Sequence, residues 1–478
     1  MNITRIFETA KDSRQRLAEL PGESRLITDP KINPCIITVK PEARFQTVTG
    51  FGGAITESAG YVVSKLPPHV RQEAVDACFS ARNGNNYTYA RTHLNSCDFS
   101  LENWACVPQK DETLDSFSME RTDRYVTPLL KAAKIAANTS NDPDDANGAA
   151  GTKADRFRLM VTPWSPPAWM KDNDCMNGGG HLKPEYRRLW AQYFVRFLSE
   201  LQKRGLRTGI VSIQNEPAAV QRWDSCIWSA EEEAEFAVRY LGPALRQSGF
   251  ADTDILVWDH NRDLLWDRFA ASMAVPGAAD YIAGAAYHWY SGDQYDNVRK
   301  IAERFPDKQI VFSEGCIEGG PRDGAWFSGE RYAHNIINDL SNGCTAWIDW
   351  NIVLDMNGGP NHAGNYCDAP ILADIAAGTL HYQSSYYYIG HFSRFIRPGA
   401  VRLGAETTPY MVPAAVDGKL GNTIENCAFL NPDGSIVFII CNRTEADLPY
   451  ELKIDGTADS ARTLRCPPRA IQTLIIRR

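Results

Sequence analysis

The chain has 478 residues, 44% of them hydrophobic and 23% charged, and its formal net charge is −8. This composition is typical of a globular protein with a substantial core, and the length exceeds that of one ordinary domain. The acidic balance excludes a basic surface that would capture nucleic acid or anionic lipid.

The amino-terminal segment lacks the continuous apolar core of a secretory signal, so we expect a cytoplasmic protein. No later run reaches the roughly 18 apolar residues that cross a membrane, so we expect no membrane span. Twelve cysteines form no Cys-x-x-Cys pair, which favours free buried thiols over a zinc site. Residues 25–44 look extended and precede a series of strand-like segments.

Eight short apolar segments follow, each succeeded by a helical pattern, as is typical of parallel strands buried on both faces. The strands are predicted at Thr47–Gly52, Tyr87–Leu94, Arg158–Pro163, Gly209–Gln214, Ile255–Asp259, Ile282–Tyr287, Gln309–Ser313 and Ala346–Asn351. A capping box at Ser229–Glu232 opens one helix, and Pro184 opens another. Eightfold alternation predicts an α/β fold, a (β/α)₈ TIM barrel rather than an open doubly wound sheet. An open sheet would carry a Gly-x-Gly-x-x-Gly turn, and none follows the first strand.

Two other stretches differ from this pattern. Residues 138–154 are a polar insertion before the third strand, of a kind that is commonly disordered. After an eighth helix near Thr379–Ile396, short antiparallel strands are predicted around Phe429-Leu430, Ile436–Cys441 and Ala470–Ile476. We therefore expect residues 1–44 and 398–478 to form an accessory β-sandwich, with a catalytic barrel over 45–397.

Two of the predicted strands lead into glutamates. Glu216 follows the fourth strand and Glu314 follows the seventh, so the interval between them holds two complete strand–helix units. Catalytic groups of barrel enzymes lie at the carboxyl ends of the strands, which would bring both glutamates to one mouth. Two carboxylates can cleave a glycosidic bond, one protonating the leaving oxygen while the other attacks the anomeric carbon or activates water.

Polar and aromatic side chains fill the loops after the strands, at a density that a purely structural barrel does not need. They include Arg91, Asn95, Asp98, Phe99, Trp164, Trp169, His288, Trp289, Tyr290, Trp347, Asp349, Trp350, Asn351 and the 358–362 loop. Tryptophans beside carboxylates and amides suit a sugar, whose C–H face stacks on a ring while its hydroxyls take the polar groups.

Some of the acidic and histidine residues also have non-catalytic interpretations. Glu216 alone would be an ordinary loop acid, and only the whole set favours catalysis. Glu57 and Glu318 are interpreted as acids of the surface or as supports of the site. His288 is either a metal ligand or a hydrogen-bonding neighbour of the carboxylates. Since no other ligand falls at metal-binding spacing, we favour the neighbour and predict no metal.

The ordered motifs over residues 51–365 together resemble the glucocerebrosidase (glucosylceramidase)-like glycoside hydrolases of family 30, in the retaining (β/α)₈-barrel clan. The matching stretches are Phe51–Ala54, Arg91 with Cys97–Ser100, Pro163–Trp169, Asn215–Pro217, His288–Tyr290, Ser313-Glu314 and Asp349–Asn351. The resemblance implies a barrel with a β-sandwich, the same architecture that the change of pattern after the eighth helix predicts.

By this resemblance Glu216 is the acid/base and Glu314 the nucleophile. Asn215 is expected to bind the sugar 2-OH, and Arg91, His288 or Tyr290 to hold Glu314 ionised. The positions that match residues binding the terminal sugar are Asp98, Trp164, Trp350 and Asn365. The chain departs from the family at His362, where the relatives carry an aromatic residue.

We therefore expect a retaining exo-acting β-glycosidase that releases a terminal sugar from a small glycoside or oligosaccharide and needs no cofactor. Two alternatives stay open. One is an enzyme of the same clan acting on β-xylosides, β-fucosides or β-1,6-glucan. The other is an inactive barrel that only binds carbohydrate. The sequence also leaves a homo-oligomer open.

Overall fold

The computed structural model describes residues 2–21, 23–29, 31–139, 155–408, 424–457 and 461–477. The chain divides into two compact units. The barrel unit comprises Phe51–Asp323 and Ala346–His381, and the sandwich unit comprises Met1–Gly50, Gly324–Thr345 and Tyr382–Arg478. Of the polar insertion predicted at residues 138–154, Asn138 and Thr139 belong to the helix Glu120–Thr139, and residues 140–154 lie outside the described residues.

A closed barrel of eight strands forms the centre of the barrel unit, and the strands follow one another around it in chain order. They are Gly50–Ala54, Tyr89–Leu94, Arg158–Pro163, Thr208–Ser212, Asp254–Asn261, Ile282–His288, Gln309–Glu314 and Ala346–Asn351. Neighbouring strands run parallel, as between the first and second, where Gly52 pairs with Tyr89. The predicted TIM-barrel fold is confirmed.

The inside of the barrel is filled with side chains. Every strand except the first contributes to one buried cluster, made of Tyr89, Met160, Ile210, Leu256, Ala286, Val311, Ala346 and Ile348. The first strand instead carries glycines, and a Cβ added to Gly52 would lie 2.1 Å from the carbonyl oxygen of Tyr89. The missing side chain thus allows the first two strands to approach closely.

Helices connect successive barrel strands. In the barrel unit they are Glu57–Lys65, Pro68–Phe79, Glu120–Thr139, Arg187–Lys203, Ala230–Phe236, Gly242–Gln247, Leu265–Met273 and Tyr295–Arg304. The predicted capping box is present, with the Ser229 hydroxyl accepting from the Glu232 amide at 3.1 Å and the Glu232 carboxylate accepting from the Ser229 amide at 2.9 Å. None of the described helices is long and apolar enough to span a bilayer.

Short elements complete the barrel unit and its borders. A small sheet follows the eighth barrel strand and is formed by Val353–Asp355, Ile371–Asp374 and Thr379–Tyr382. Single 3₁₀ turns occupy Ala168–Met170, Pro184–Tyr186, Arg262–Leu264 and Ala278–Asp280, and a π turn at Ala237–Leu241 joins the two helical pieces that follow the capping box.

The sandwich unit is built from both ends of the chain. Its nine-stranded sheet has the order Arg462–Cys466, Leu448–Ile454, Cys35–Val48, Ala400–Thr407, Glu425–Leu430, Ile436–Asn442, Ala470–Arg477, Asn2–Ala10 and Ala18–Leu20. Ile6, Ile37, Phe438 and Leu474 belong to one buried cluster. The helices Trp326–Ser341 and Ser384–Ser393 belong to this unit. The prediction of one β-sandwich formed by both chain ends is confirmed.

Two predicted boundaries were wrong. The first barrel strand was expected at Thr47–Gly52, but residues up to Val48 continue a strand of the sandwich sheet, and the barrel strand begins at Gly50. Gly50 has a φ of 147°, a conformation that glycine adopts readily, and so allows the chain to pass from one sheet to the other. The helix expected from Thr379 begins only at Ser384, because Thr379–Tyr382 form a strand that suits their β-branched and aromatic side chains.

Candidate active site

The two predicted glutamates stand at strand ends of one barrel. Glu314 is the last residue of the seventh strand, and Glu216 lies shortly beyond the fourth. The amide of Glu216 donates to the carbonyl of Asp259 at 3.0 Å, and that of Asn215 donates to Pro163 at 2.9 Å. Glu216 has a φ of 48°, in the left-handed region that non-glycine residues rarely adopt. Backbone contacts to the third and fifth strands therefore hold Glu216 in a strained conformation.

His288 brings the two glutamates into one site. Its Nδ1 lies 3.5 Å from Oε1 of Glu216 and 4.0 Å from Oε1 of Glu314. These two oxygens can therefore be at most about 7.5 Å apart. His288 is fully buried and Glu314 is 7% exposed. Two carboxylates from distant parts of the chain thus share one imidazole at the mouth of the barrel.

Arg91, at the centre of the second strand, supports the Glu314 carboxylate from below. Its Nη1 donates to Oε2 of Glu314 at 2.6 Å, and its Nη2 donates to Asn215 at 2.8 Å and to Asp259 at 3.0 Å. The hydroxyl of Tyr290 donates to the other Glu314 oxygen at 3.0 Å. One donor on each oxygen fixes the orientation of the carboxylate.

Electrostatics distinguish Glu216 from His288. Burial raises the pKa of Glu216, but the adjacent His288 and His260 imidazoles lower it more, to about 2. Burial lowers the pKa of His288, whereas the surrounding carboxylates of Glu314, Asp259 and Glu216 raise it to about 9. The proton that this group of side chains holds near neutral pH therefore lies on the imidazole.

The predicted tryptophans lie together behind these carboxylates. The rings of Trp164 and Trp350 stack with centroids 5.4 Å apart, and the Arg91 guanidinium lies 4.8 Å and 5.5 Å from their centroids. Both tryptophans are 3% exposed. They therefore form a packed wall that offers a ligand a narrow strip of ring rather than an open face.

Asp98 forms a second polar cluster with two amides. Its Oδ2 accepts from Asn361 at 3.1 Å and from Asn365 at 3.2 Å. Burial and then the negative charge of Glu314 raise the pKa of Asp98 to about 7. The His362 amide donates to the Asp98 carbonyl at 3.1 Å, while its ring lies 3.2 Å from Asp224. The His362 ring therefore links the loop at residues 358–362 to Asp224.

Comparison with known proteins identifies the family. The Glycosyl hydrolase family 30 TIM-barrel domain matches residues 48–396, and the Glycosyl hydrolase family 30 beta sandwich domain matches residues 399–474. The chain belongs to glycosyl hydrolase family 30. It is accordingly a glycoside hydrolase, and the resemblance that the motifs indicated is confirmed.

Several known proteins are similar to this chain over most of its length. Lysosomal acid glucosylceramidase of Mus musculus is 34% identical over 87% of this chain and 79% of its own length. Endo-1,6-beta-D-glucanase of Neurospora crassa is 27% identical over 91% and 88%. Among solved structures, SrfJ from Salmonella typhimurium has a TM-score of 0.87 at 34% identity, covering 99% of both chains. The endo-beta1,6-glucanase BT3312 has a TM-score of 0.81 at 26% identity, covering 100% of both.

The sequence of this family 30 enzyme did not identify Asp259 as a site residue. The structure places it at the centre of the site, fully buried. Its carboxylate contacts Arg91, Thr162 at 3.2 Å and His288 at 3.1 Å. Burial raises its pKa, but the Arg91 charge and then His288 hold that pKa well below the usual range. The clue available in the sequence was its position, since it ends the predicted fifth strand as an acid.

Glu57 also proves to be a structural part of the site. It is fully buried, and its carboxylate accepts from Trp104 at 3.0 Å, from Leu101 at 3.2 Å and from Arg121 at 2.8 Å. Of the two interpretations for Glu57, the surface acid is wrong. The residue instead anchors the loop that follows the second strand.

One group of side chains could hold a metal ion among the described residues. Glu216, His260 and His288 each offer one ligand atom, and these atoms lie within 4.8 Å of one another. The sequence had not revealed this group, because His260 and His288 end neighbouring strands and have no recognisable spacing along the chain.

Proposed function

We propose that this family 30 hydrolase is a retaining β-glycosidase that releases a terminal β-linked sugar, with Glu314 as the nucleophile and Glu216 as the acid/base. The observation that carries the proposal is the convergence of these two carboxylates on His288. A retaining enzyme needs its carboxyl groups about 5–5.5 Å apart, and the upper limit on their separation accommodates that distance.

In the first step Glu314 attacks the anomeric carbon and the glycosidic bond breaks. The ion pair with Arg91 at 2.6 Å and the Tyr290 hydroxyl at 3.0 Å aim the carboxylate and stabilise its charge before attack. His288 passes its proton to Glu216, which donates it to the leaving oxygen, so that Glu216 is ionised and His288 neutral when the bond has broken. The sugar is then an ester of Glu314.

In the second step Glu216, again ionised beside His288, takes a proton from water as the water attacks the anomeric carbon. The ester bond to Glu314 breaks and the carboxylate is released. The proton returns to His288, so the site regains its starting state. Two displacements at the same carbon leave the β configuration of the sugar unchanged.

Neighbouring amides and acids are suited to hold the sugar hydroxyls. The carbonyl oxygen of the Asn215 side chain accepts from Arg91 at 2.8 Å, which leaves its NH₂ group as the donor to the 2-OH. Asp98, fixed by Asn361 and Asn365, is suited to accept from a pair of hydroxyls. These contacts support a site for one terminal sugar ring beside Trp164 and Trp350.

The favoured substrate class is a β-glucoside of the glucosylceramide type. The supporting similarity is 34% identity to a lysosomal acid glucosylceramidase. A β-1,6-glucan is the second candidate, supported by the endo-1,6-glucanase relatives. β-Xylosides and β-fucosides remain further options within the clan.

A panel of aryl β-glycosides tests the proposal, with β-1,6-linked glucan added for the second candidate. We expect wild-type protein to turn over one sugar preferentially, and Glu314→Gln to lower kcat at least about 10³-fold because the nucleophile is lost. Glu318→Gln, which changes an exposed glutamate on the same loop, is the matched control and should retain activity. Undiminished turnover by Glu314→Gln would refute the proposal, and binding without turnover by the wild type would favour the inactive barrel.

A further inference from the structure

Glu216 has a second imidazole beside it that the hydrolytic steps do not use. Nδ1 of His260 lies 3.7 Å from Oε1 of Glu216, and Nδ1 of His288 lies 3.5 Å from the same oxygen. His260 follows the bulge at the end of the fifth barrel strand, and His288 ends the sixth. Two imidazole nitrogens therefore face one carboxylate oxygen.

Two of the three separations between these atoms are close to those of a tetrahedral metal site. Zinc bound at about 2.0–2.1 Å by each ligand separates neighbouring ligand atoms by about 3.4 Å. Two of the separations here exceed that value by only a few tenths of an ångström, and all three ligand atoms lie within 4.8 Å of one another. Two histidines and one glutamate are also a ligand set that zinc enzymes use.

The imidazole nitrogens are available for a ligand. Within the described ranges of the chain, Nδ1 of His260 and Nδ1 of His288 are both buried without a hydrogen-bond partner. Both nitrogens instead face the Glu216 carboxylate across 3.7 Å and 3.5 Å, a gap that a bound ion would fill.

Surrounding residues hold both rings in place. Nε2 of His288 contacts a carboxylate oxygen of Asp259 at 3.1 Å, which leaves Nδ1 to face Glu216. Carboxylate support behind a histidine is the usual arrangement around a metal. The His260 ring stacks on Trp258, with centroids 5.0 Å apart and planes 29° from parallel.

We propose that Glu216, His260 and His288 form an inhibitory binding site for Zn²⁺ or a related borderline transition-metal ion. Binding displaces the proton on His288 to solvent and occupies the carboxylate that protonates the leaving group. The inhibition rests on the proposed role of Glu216 as acid/base, whereas the binding does not. Ca²⁺ and Mg²⁺ should bind poorly because they prefer oxygen ligands to imidazole nitrogen.

Calorimetric titration of the chelator-treated full chain with Zn²⁺ tests the binding directly. We expect wild-type protein to bind one ion per chain. His260→Phe, which keeps a ring against Trp258, should bind Zn²⁺ at least tenfold more weakly. His260→Gln, a smaller change, should also bind it more weakly. Cys175→Ser, which removes the exposed cysteine, is the matched control and should bind as the wild type does. No stoichiometric binding by wild-type protein, or equal binding by folded His260 variants, would overturn the proposal.

Activity supplies the second measurement. Zn²⁺ should inhibit hydrolysis of an aryl glycoside, EDTA should restore it, and Mg²⁺ at the same concentration should have no effect. The Zn²⁺ concentration giving half inhibition should rise at least tenfold in a folded His260 variant that retains measurable turnover. Tight binding without any glycoside turnover would refute the hydrolytic proposal alone, while turnover that Zn²⁺ does not affect would overturn the inhibitory role.

Discussion

The carboxyl group of Asp98 makes the stability of this protein depend on pH. Its pKa is about 7 in the folded chain, compared with about 3.9 for an ordinary aspartate. Because the folded pKa is raised, the stability that protonated Asp98 contributes is complete below about pH 4 and is lost as the pH rises through 7. Asp98→Asn keeps a neutral side chain at every pH and removes this loss.

We therefore expect the unfolding free energy of Asp98→Asn to increase relative to wild type between pH 5 and pH 8, by at most about 3 kcal/mol. Denaturant unfolding at the two pH values measures the difference. Asp307→Asn, which changes an acid with 75% of its side chain exposed, is the control and should show little change. An Asp98→Asn difference that is the same at pH 5 and pH 8 would contradict the burial argument.

Local irregularities determine how much of the site can be predicted at the residue scale. Strand-end positions predicted that Glu216 and Glu314 would meet, because parallel strands bring their carboxyl ends to one face. A bulge between Trp258 and His260 changes the register of the fifth strand and redirects Asp259 and His260. Simple alternation along a strand cannot anticipate such a shift, and so both residues escaped sequence reasoning.

At the scale of the element, the first barrel strand depends on its glycines, Gly50, Gly52 and Gly53. Gly52 pairs with Tyr89, and a Cβ at Gly52 would overlap the Tyr89 carbonyl at 2.1 Å. Backbone atoms in a sheet cannot move aside without breaking the ladder. We expect Gly52→Ala to lower the unfolding free energy by about 3 kcal/mol or more.

Gly249→Ala is the matched control for this prediction. Gly249 has a φ of 84° but no described atom within 4 Å of an added Cβ, so alanine there should cost only the backbone strain of about 1–2 kcal/mol. Chemical denaturation of both variants measures the two losses. A smaller loss for Gly52→Ala than for Gly249→Ala would show that the first two strands can separate without cost.

Elements with strong local patterns were predictable, and elements defined by distant partners were not. The capping box at Ser229 and the short apolar barrel strands follow from nearby residues alone. The strand Asn2–Ala10 did not stand out, since its charged residues interrupt the apolar pattern and its place is set by pairing with Ala470–Arg477 at the other end of the chain.

At the scale of the whole molecule, both ends of the chain contribute neighbouring strands to the sandwich sheet. Asn2–Ala10 lies between Ala470–Arg477 and Ala18–Leu20, and Ile6 is fully buried. Glu8, also fully buried, pairs with Arg25 at 2.5 Å and accepts from Gln472 at 2.9 Å. Loss of the strand Asn2–Ala10 would therefore expose a hydrophobic edge of the sheet. It would also remove Glu8 and leave Arg25 without this ion pair.

Deletion of residues 1–20 should give insoluble protein or abolish cooperative unfolding, and Ile6→Asp should act in the same direction by burying a charge. Thr4→Asp on the exposed part of the strand is the control and should remain soluble and cooperative. Solubility and thermal unfolding followed by circular dichroism distinguish these outcomes. A shortened chain with the wild-type unfolding midpoint would contradict the arrangement.

Trapping the reaction intermediate tests the central claim most directly, since that claim assigns the covalent step to a single side chain. A 2-deoxy-2-fluoro-β-glycoside with a dinitrophenolate leaving group forms the ester quickly and releases it slowly, because fluorine destabilises the positive charge that develops on the sugar. Peptide mass spectrometry should find one sugar per chain, attached to Glu314. An unlabelled enzyme that still turns over glycosides, a label on another residue, or a first-formed product of inverted configuration would contradict the account.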